Sequence, residues 1–92
     1  MTASEYQTKY DANNAAGRKL AYLNGYNHNG SPRFTAIWTA AAPAVKKAKH
    51  GISSSKYQAQ FNDAMSKGFR TRAVTGYLNG NGHVRYAAYW TD

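Results

Sequence analysis

Cysteine is absent from this sequence of 92 residues, and acidic residues are scarce, with four Asp and Glu against twelve Lys and Arg. Without cysteine, neither a disulfide framework nor a thiolate metal site can form. No apolar run approaches the roughly 18 residues that a membrane span requires. The first residues also lack the basic and apolar regions of a signal peptide. We therefore expect a small water-soluble domain with a modest margin of stability.

The excess of basic residues gives a formal charge of +8, which favours attraction to anionic partners such as nucleic acid or acidic polysaccharide. The lysines cluster in one short segment, whereas the arginines are scattered through strand-like segments. A solvated cationic surface explains the same charge equally well. The candidate anion-binding residues are Lys46, Lys47, Lys49, Arg70, Arg72 and Arg85.

An internal repeat is the strongest feature of the sequence. Residues 1–39 match residues 52–91 at an offset of 51, which becomes 52 after the inserted residue Gly80, with twelve identities in 39 aligned positions. Chance gives about two or three identities over this length, and a repeated unit of this kind buries its apolar face only by packing on a neighbour. We divide the single domain into repeat one (1–39), a linker (40–51) and repeat two (52–92).

A helix is predicted at the start of each repeat. Both repeats contain Ser-x-Tyr-Gln, beginning at Ser4 and Ser55, and this spacing is typical of a capping box at a helix N-terminus. Gly17 and Gly68 follow at the positions where a helix ends in the left-handed conformation.

Two extended segments follow each helix and predict a β-hairpin. Asn29-Gly30 and Asn81-Gly82 provide the positive φ angles of hairpin turns. Alternation along the second strand places the tryptophan on one face, which we assign to the core, and the arginine on the other. The core faces carry Phe34, Ala36 and Trp38 or Tyr86, Ala88 and Trp90, and the opposite faces carry Arg33, Thr35 and Ile37 or Arg85, Ala87 and Tyr89.

The linker is predicted to form a short third helix. Pro43 suits a first helical turn, the alanines and lysines favour helix, and Gly51 is placed to end it. The predicted fold is therefore α+β, with two tandem α-β-β repeats, antiparallel strands and a linker helix. Because two repeats are fewer than a stable array usually needs, we expect them to close on each other about a pseudo-twofold axis, or to dimerise.

No catalytic, cofactor or metal site is predicted. The segment Ser53-Ser54-Ser55-Lys56 matches the Ser-x-x-Lys motif of penicillin-recognising hydrolases, but serine is also a preferred helix cap. His28, His50 and His83 are dispersed and lack ligand spacing. A small hydrolase or antimicrobial effector that uses Ser53 or these histidines remains an alternative.

The aromatic residues suggest two roles. We assign Trp38, Trp90, Tyr57 and Phe61 to the core. Exposed tyrosines suit stacking on glycans, peptides or single-stranded nucleic acid. The candidates for such exposed contacts are Tyr26, Tyr77 and Tyr89.

Five short motifs in and around repeat two form a distinctive set: His50-Gly51-Ile52-Ser53, Tyr57-Gln58-x-x-Phe61, Gly68-Phe69-Arg70, Val74-x-Gly76-Tyr77 and Arg85-Tyr86-Ala87-Ala88-Tyr89-Trp90. This set resembles the structural repeat of polyglycine hydrolase-like proteins, also described as a bacterial tandem repeat domain. The resemblance implies a secreted protein in which non-catalytic repeats stand beside a serine hydrolase domain related to β-lactamases. Ala44 and Val45 depart from the pattern, since the family tends to place a tryptophan there.

Overall fold

A computed structural model describes all residues from 1 to 92. It contains two helices and five strands, and every strand pairing is antiparallel. The α+β class and the helix-hairpin order of both repeats are confirmed. No helix is both long and apolar enough to span a membrane. The elements are α1 (Ala3–Ala15), β1 (Lys19–His28), β2 (Ser31–Thr39), β3 (Val45–Ile52), α2 (Ser54–Ser66), β4 (Arg70–Leu78) and β5 (Val84–Thr91).

The N-caps of both helices lie two residues before the predicted caps at Ser4 and Ser55, at Thr2 and Ser53. The hydroxyl of Thr2 accepts a hydrogen bond from the backbone N–H of Glu5 at 3.1 Å, and the Glu5 carboxylate accepts one from the Thr2 N–H at 2.9 Å. This capping box satisfies two helix N–H groups and places a carboxylate at the positive end of the helix dipole. Ser53 caps α2 by accepting from the Lys56 N–H.

The predicted helix ends are confirmed. Gly17 has a φ of +79° and Gly68 a φ of +75°. The residue after each glycine donates its N–H to a carbonyl five residues back, Arg18 to Asn13 and Phe69 to Ala64, each at 2.9 Å. This pairing is the Schellman arrangement, which satisfies carbonyls that a helix end otherwise leaves free.

The two hairpins close differently. In repeat one, His28 lies opposite Ser31, and Asn29 (φ +50°) and Gly30 (φ +82°) form the two-residue turn predicted for them. In repeat two the inserted Gly80 lengthens the loop, and among its residues only Gly82 has positive φ, at +76°. The tight turn predicted at Asn81-Gly82 is therefore replaced by a wider loop.

The predicted linker helix is wrong, because Val45–Ile52 forms strand β3. It pairs with β5, with Val45 opposite Thr91 and Ala48 opposite Tyr89. Alanine and lysine have high helix propensity, but tertiary contacts override propensity, and eight residues gain more from hydrogen bonds to β5 than from an isolated helix. Gly51, with a φ of +67°, lets the chain turn from β3 toward α2 instead of ending a helix.

The strands form two sheets. One contains β1 and β2, and the other has the order β3-β5-β4. We call the side of each hairpin that packs on its own helix the helix face, and the other side the back face. On the helix face of repeat one, the ring of Tyr6 from α1 stacks on Phe34 and Trp38 at centroid distances of 5.2 and 6.0 Å. Tyr57 of α2 lies 6.2 Å from Trp90 in the same way.

Both repeats contribute to the main core, so the predicted contact between them is confirmed. Tyr6, Leu20, Leu23 and Phe34 from the helix side of repeat one pack with Tyr77, Ala87 and Tyr89 from the back face of repeat two. A second, smaller core lies between α2 and the helix face of its own sheet and contains Ala64, Ala88 and Trp90.

The predicted pseudo-twofold axis is wrong. A twofold contact uses the same surface on both partners, whereas here the helix face of repeat one meets the back face of repeat two. The equivalents of the buried Tyr77 and Tyr89 are Tyr26 and Ile37, and these are 40% and 56% exposed. The repeats therefore pack head to tail.

Candidate functional site

A cleft of about 170 Å³ between α1 and β3 is the first candidate site. It forms because β3 is an edge strand whose free side faces the helix of repeat one. Lys46 and Lys49 line the cleft and are exposed to solvent. The remaining walls are Tyr6, Gln7 and Tyr10 from α1 and Val45, Lys47, Ala48 and His50 from β3.

The imidazole of His50 forms part of the wall of this cleft and lies between aromatic rings. Its centroid is 5.3 Å from that of Tyr6 and 5.8 Å from that of Phe34, and both rings meet it edge-on. Burial lowers the pKa of His50, since an apolar setting disfavours the charged form. The same burial raises the pKa of Tyr6. His50 is therefore a neutral packing residue near pH 7.

The predicted basic residues at β3 differ in their availability for an anion. Lys47 is held by Asp63 of α2 at 2.5 Å, and Lys67 lies 3.2 Å from the same carboxylate. These lysines keep the pKa of Asp63 below its usual value by hydrogen bonds and charge. Lys46 makes one exposed pair with Asp92 at 3.5 Å, and exposed pairs of this kind are weak. Lys46 and Lys49 are therefore the lysines open to a ligand.

The predicted arginines lie toward opposite ends of β5, with Arg70 and Arg72 at the end where Val45, next to Lys46, also pairs with Thr91. Arg72 donates its Nε–H to the Thr91 hydroxyl at 2.6 Å, and Arg70 lies opposite Thr91 at the same end of β5. Arg85 lies near the other end of β5, about 20 Å away at 3.3 Å per residue. Its guanidinium donates to the Val84 carbonyl at 2.8 Å.

Two of the three predicted aromatic contacts are wrong. Tyr77 is 7% exposed and Tyr89 is 4% exposed, because repeat one covers the back face that carries them. The Tyr77 hydroxyl accepts a hydrogen bond from the Gly51 N–H at 2.9 Å, and burial raises its pKa. Tyr26 is exposed as predicted.

The serine and histidine motifs are not assembled into a catalytic group. Ser53 is the N-cap of α2, and its hydroxyl lies 3.3 Å from that of Ser55. His28 lies at the end of β1, next to Asn29, and His83 lies in the loop of the other hairpin. No group of three or more His, Cys, Asp and Glu residues is arranged to hold a metal ion.

A second cavity, of about 390 Å³, was not found from the sequence. It lies where the segment between β2 and β3 passes over the ends of β1 and β5. The alanine-rich sequence of this segment gives no signal of a cavity, because the cavity depends on how the two sheets approach each other. Its lining includes Leu20, Ala21, Thr39, Pro43, Tyr89 and Thr91.

The repeated helix-hairpin unit, packed head to tail, defines a tandem-repeat protein. A family model described as "polyglycine hydrolase-like, structural repeat" matches residues 1–41 and again residues 47–92. The chain belongs to this family, as its sequence motifs indicated. The second match begins within β3, so it includes most of the strand that completes the sheet of repeat two. No curated protein and no solved structure matches the chain significantly.

Proposed function

We propose that this chain is a non-catalytic structural module of a secreted protein, in which its repeats stand beside a hydrolase domain. The observation that carries the structural role is the shared core, since the side chains of both repeats are used to pack one repeat on the next. The secreted setting and the neighbouring hydrolase domain are what the family resemblance implies. The polar groups that most resemble catalytic residues have structural roles. Ser53 caps a helix, and His50 fills a gap between rings.

A serine-directed covalent probe tests this proposal. An activated serine attacks a fluorophosphonate, whereas a capping hydroxyl without a neighbouring base does not. We expect no labelled peptide by mass spectrometry and no turnover of ester, amide or glycoside substrates. Labelling at Ser53 that is lost in Ser53→Ala, with the helix retained by circular dichroism, contradicts the structural role.

Polyanion binding is a second candidate function, supported by the cleft between α1 and β3. Lys46 and Lys49 line the cleft, which also carries aromatic side chains. The formal charge of +8 adds a long-range attraction for any polyanion, including nucleic acid and acidic polysaccharide. These observations favour a charge-driven contact on one side of the molecule.

Titration with heparin at two salt concentrations tests this second function. We expect affinity to fall steeply with salt, since binding releases counterions. Lys46→Ala/Lys49→Ala removes two charges at the cleft, and Lys9→Ala/Lys56→Ala removes two exposed charges elsewhere. If the cleft binds heparin, the first double variant weakens binding about tenfold more than the second. Equal losses in both variants indicate diffuse attraction without a site.

A further inference from the structure

The contact between the two repeats uses the helix face of repeat one and the back face of repeat two. The back face of repeat one and the helix face of repeat two take no part in it. On the back face, Tyr77 and Tyr89 of repeat two are buried, but their equivalents Tyr26 and Ile37 in repeat one are 40% and 56% exposed. Ala87 is fully buried, whereas its equivalent Thr35 is exposed. Repeat one therefore presents to solvent the surface that repeat two buries.

The helix face shows the complementary difference. Leu23 of repeat one is 4% exposed, and its equivalent Val74 in repeat two is 49% exposed. Phe34 is 1% exposed, whereas its equivalent Tyr86 is only partly covered. Repeat two thus presents to solvent the surface that repeat one buries.

The exposed large apolar side chains lie almost entirely on these two unused faces. Strand alternation places three of them on the back face of repeat one and three on the helix face of repeat two. The seventh, Met65, lies on α2. Clusters of exposed apolar residues commonly mark interaction surfaces. The two sets are Tyr22, Tyr26 and Ile37, and Val74, Leu78 and Val84.

We propose that a second copy of this chain docks head to tail, so that the helix face of its repeat two packs against the back face of repeat one in the first copy. The contact repeats the one inside the chain, where the Tyr77 ring lies on Gly25 and beside Phe34. In the contact between copies, Tyr26 of one copy takes the place of Tyr77. It lies on Gly76 and beside Tyr86 of the other copy. Gly76 is exposed, and its nearest neighbour is the Tyr86 ring, 3.4 Å from where a Cβ atom would stand.

The edge of β2 shows why this contact is weaker than the internal one. Met1 exchanges two backbone hydrogen bonds with Phe34, at 2.6 and 2.9 Å. In repeat two, Ile52 at the end of β3 is equivalent to Met1. It lies opposite Tyr86, which is equivalent to Phe34. Apart from the pair of Met1 with Phe34, no strand lies along the free edge of β2 in the way that β3 lies along β5. The docked copy therefore lacks the contacts that Ala48 and His50 make to repeat one.

The contact is heterologous, because each copy carries one face of each kind, so it extends beyond a dimer. A heterologous contact produces a closed ring or an open chain according to the rotation between copies. Like charges also oppose it, since each copy carries a formal charge of +8. Salt screens this repulsion and strengthens the association. Heparin binding has the opposite salt dependence, so the two activities are distinguishable.

Sedimentation velocity of the complete chain tests the proposal, at concentrations up to about 1 mM and at low and high salt. We expect the weight-average mass to rise with concentration beyond that of a dimer, and more so at high salt. A monomer mass at every concentration and salt overturns the proposal. The proposal rests on the structural role above, but labelling of Ser53 bears only on that role and leaves this result unaffected.

Two charge variants identify the faces. Ile37→Asp blocks the back face and Val74→Asp blocks the helix face, and both positions are exposed, so folding is preserved. We expect each variant alone to remain monomeric, while an equimolar mixture forms dimers and nothing longer, because each variant keeps the face that the other has lost. Ala59→Asp adds the same charge on the exposed side of α2 and leaves association unchanged. Association that survives either variant, or a mixture that stays monomeric, overturns the head-to-tail contact.

Discussion

The ring of Tyr77 lies directly on the backbone of Gly25. A Cβ atom added at Gly25 stands 2.5 Å from Cδ1 of Tyr77, whereas one added at the equivalent Gly76 meets nothing closer than Cε1 of Tyr86 at 3.4 Å. Gly25 is buried and Gly76 is exposed. This pair of equivalent glycines thus distinguishes the helix face of repeat one, which contacts repeat two, from the helix face of repeat two, which contacts no other repeat.

Gly25→Ala is expected to lower the free energy of unfolding by about 1–3 kcal/mol, the usual cost of overpacking a filled site. The ring of Tyr77 has no free space to move into, since Phe34 lies beside it. Chemical denaturation of the two alanine variants measures the difference. Gly76→Ala is the matched control, and we expect a change within about 0.5 kcal/mol. Equal losses at both positions contradict the head-to-tail packing.

Thr75→Val is expected to destabilise the contact between repeats by about 1–2 kcal/mol, because it leaves a buried donor without its acceptor. The Thr75 hydroxyl accepts from the Gly25 N–H at 3.1 Å and also lies 3.3 Å from Asn24 Oδ1.

Thr71→Val is the opposite case in the same strand. The Thr71 hydroxyl is buried and has no hydrogen-bond partner, so its replacement by a methyl group removes an unsatisfied polar atom. We expect a neutral or stabilising change. Thermal unfolding of the two valine variants gives the sign of each effect, and a loss at Thr71 equal to that at Thr75 is inconsistent with this assignment.

His50 is expected to make stability fall as the pH decreases below about 6.5, the ordinary histidine value. Burial lowers the pKa of His50 in the folded state. At higher pH both states are neutral, and below the unfolded pKa only the unfolded state gains the proton, so unfolding is favoured. His50→Phe removes this part of the pH dependence, and His83→Gln, in an exposed loop, retains it. Unfolding curves between pH 7 and 5 provide the measurement.

Asp63 is expected to contribute to acid sensitivity at lower pH. Hydrogen bonds from Lys47 and Lys67 lower its pKa in the folded state. Its contribution is therefore present above the unfolded carboxyl value and is lost as the pH falls through the folded value. Asp63→Asn flattens the stability profile below about pH 4. Asp11→Asn, on the exposed surface of α1, is the control, and an identical profile for the two variants contradicts the role of Lys47.

Local signals in the sequence were sufficient for most elements of the fold. Gly17 and Gly68 end helices because only a residue that tolerates positive φ fits there. Asn29-Gly30 closes a hairpin for the same reason. The pairing of Phe34 and Trp38 with their helix followed from strand alternation. Each of these features depends on residues that are close in the chain.

The linker and the candidate site depended on distant contacts. Val45–Ile52 is a strand because the edge of β5, formed by residues late in the chain, offers hydrogen-bond partners. The cleft at Lys46 and Lys49 exists only because α1 lies beside that strand. The pairing of Lys47 with Asp63 depends on the placement of β3 beside the other helix, α2. Composition showed a cluster of lysines but not which of them is free.

The sequence by itself determined the repeat, its helix and hairpin, and which side chains share a face of each hairpin, since these follow from backbone geometry and spacing. Only the tertiary structure decided which of these faces is covered. Tyr26 and Tyr77 occupy the same position in their repeats, yet one is exposed and the other buried. The physical reason is that alternation places a side chain on one side of a sheet, whereas burial requires a neighbour. In this chain the other repeat covers the helix face only in repeat one and the back face only in repeat two.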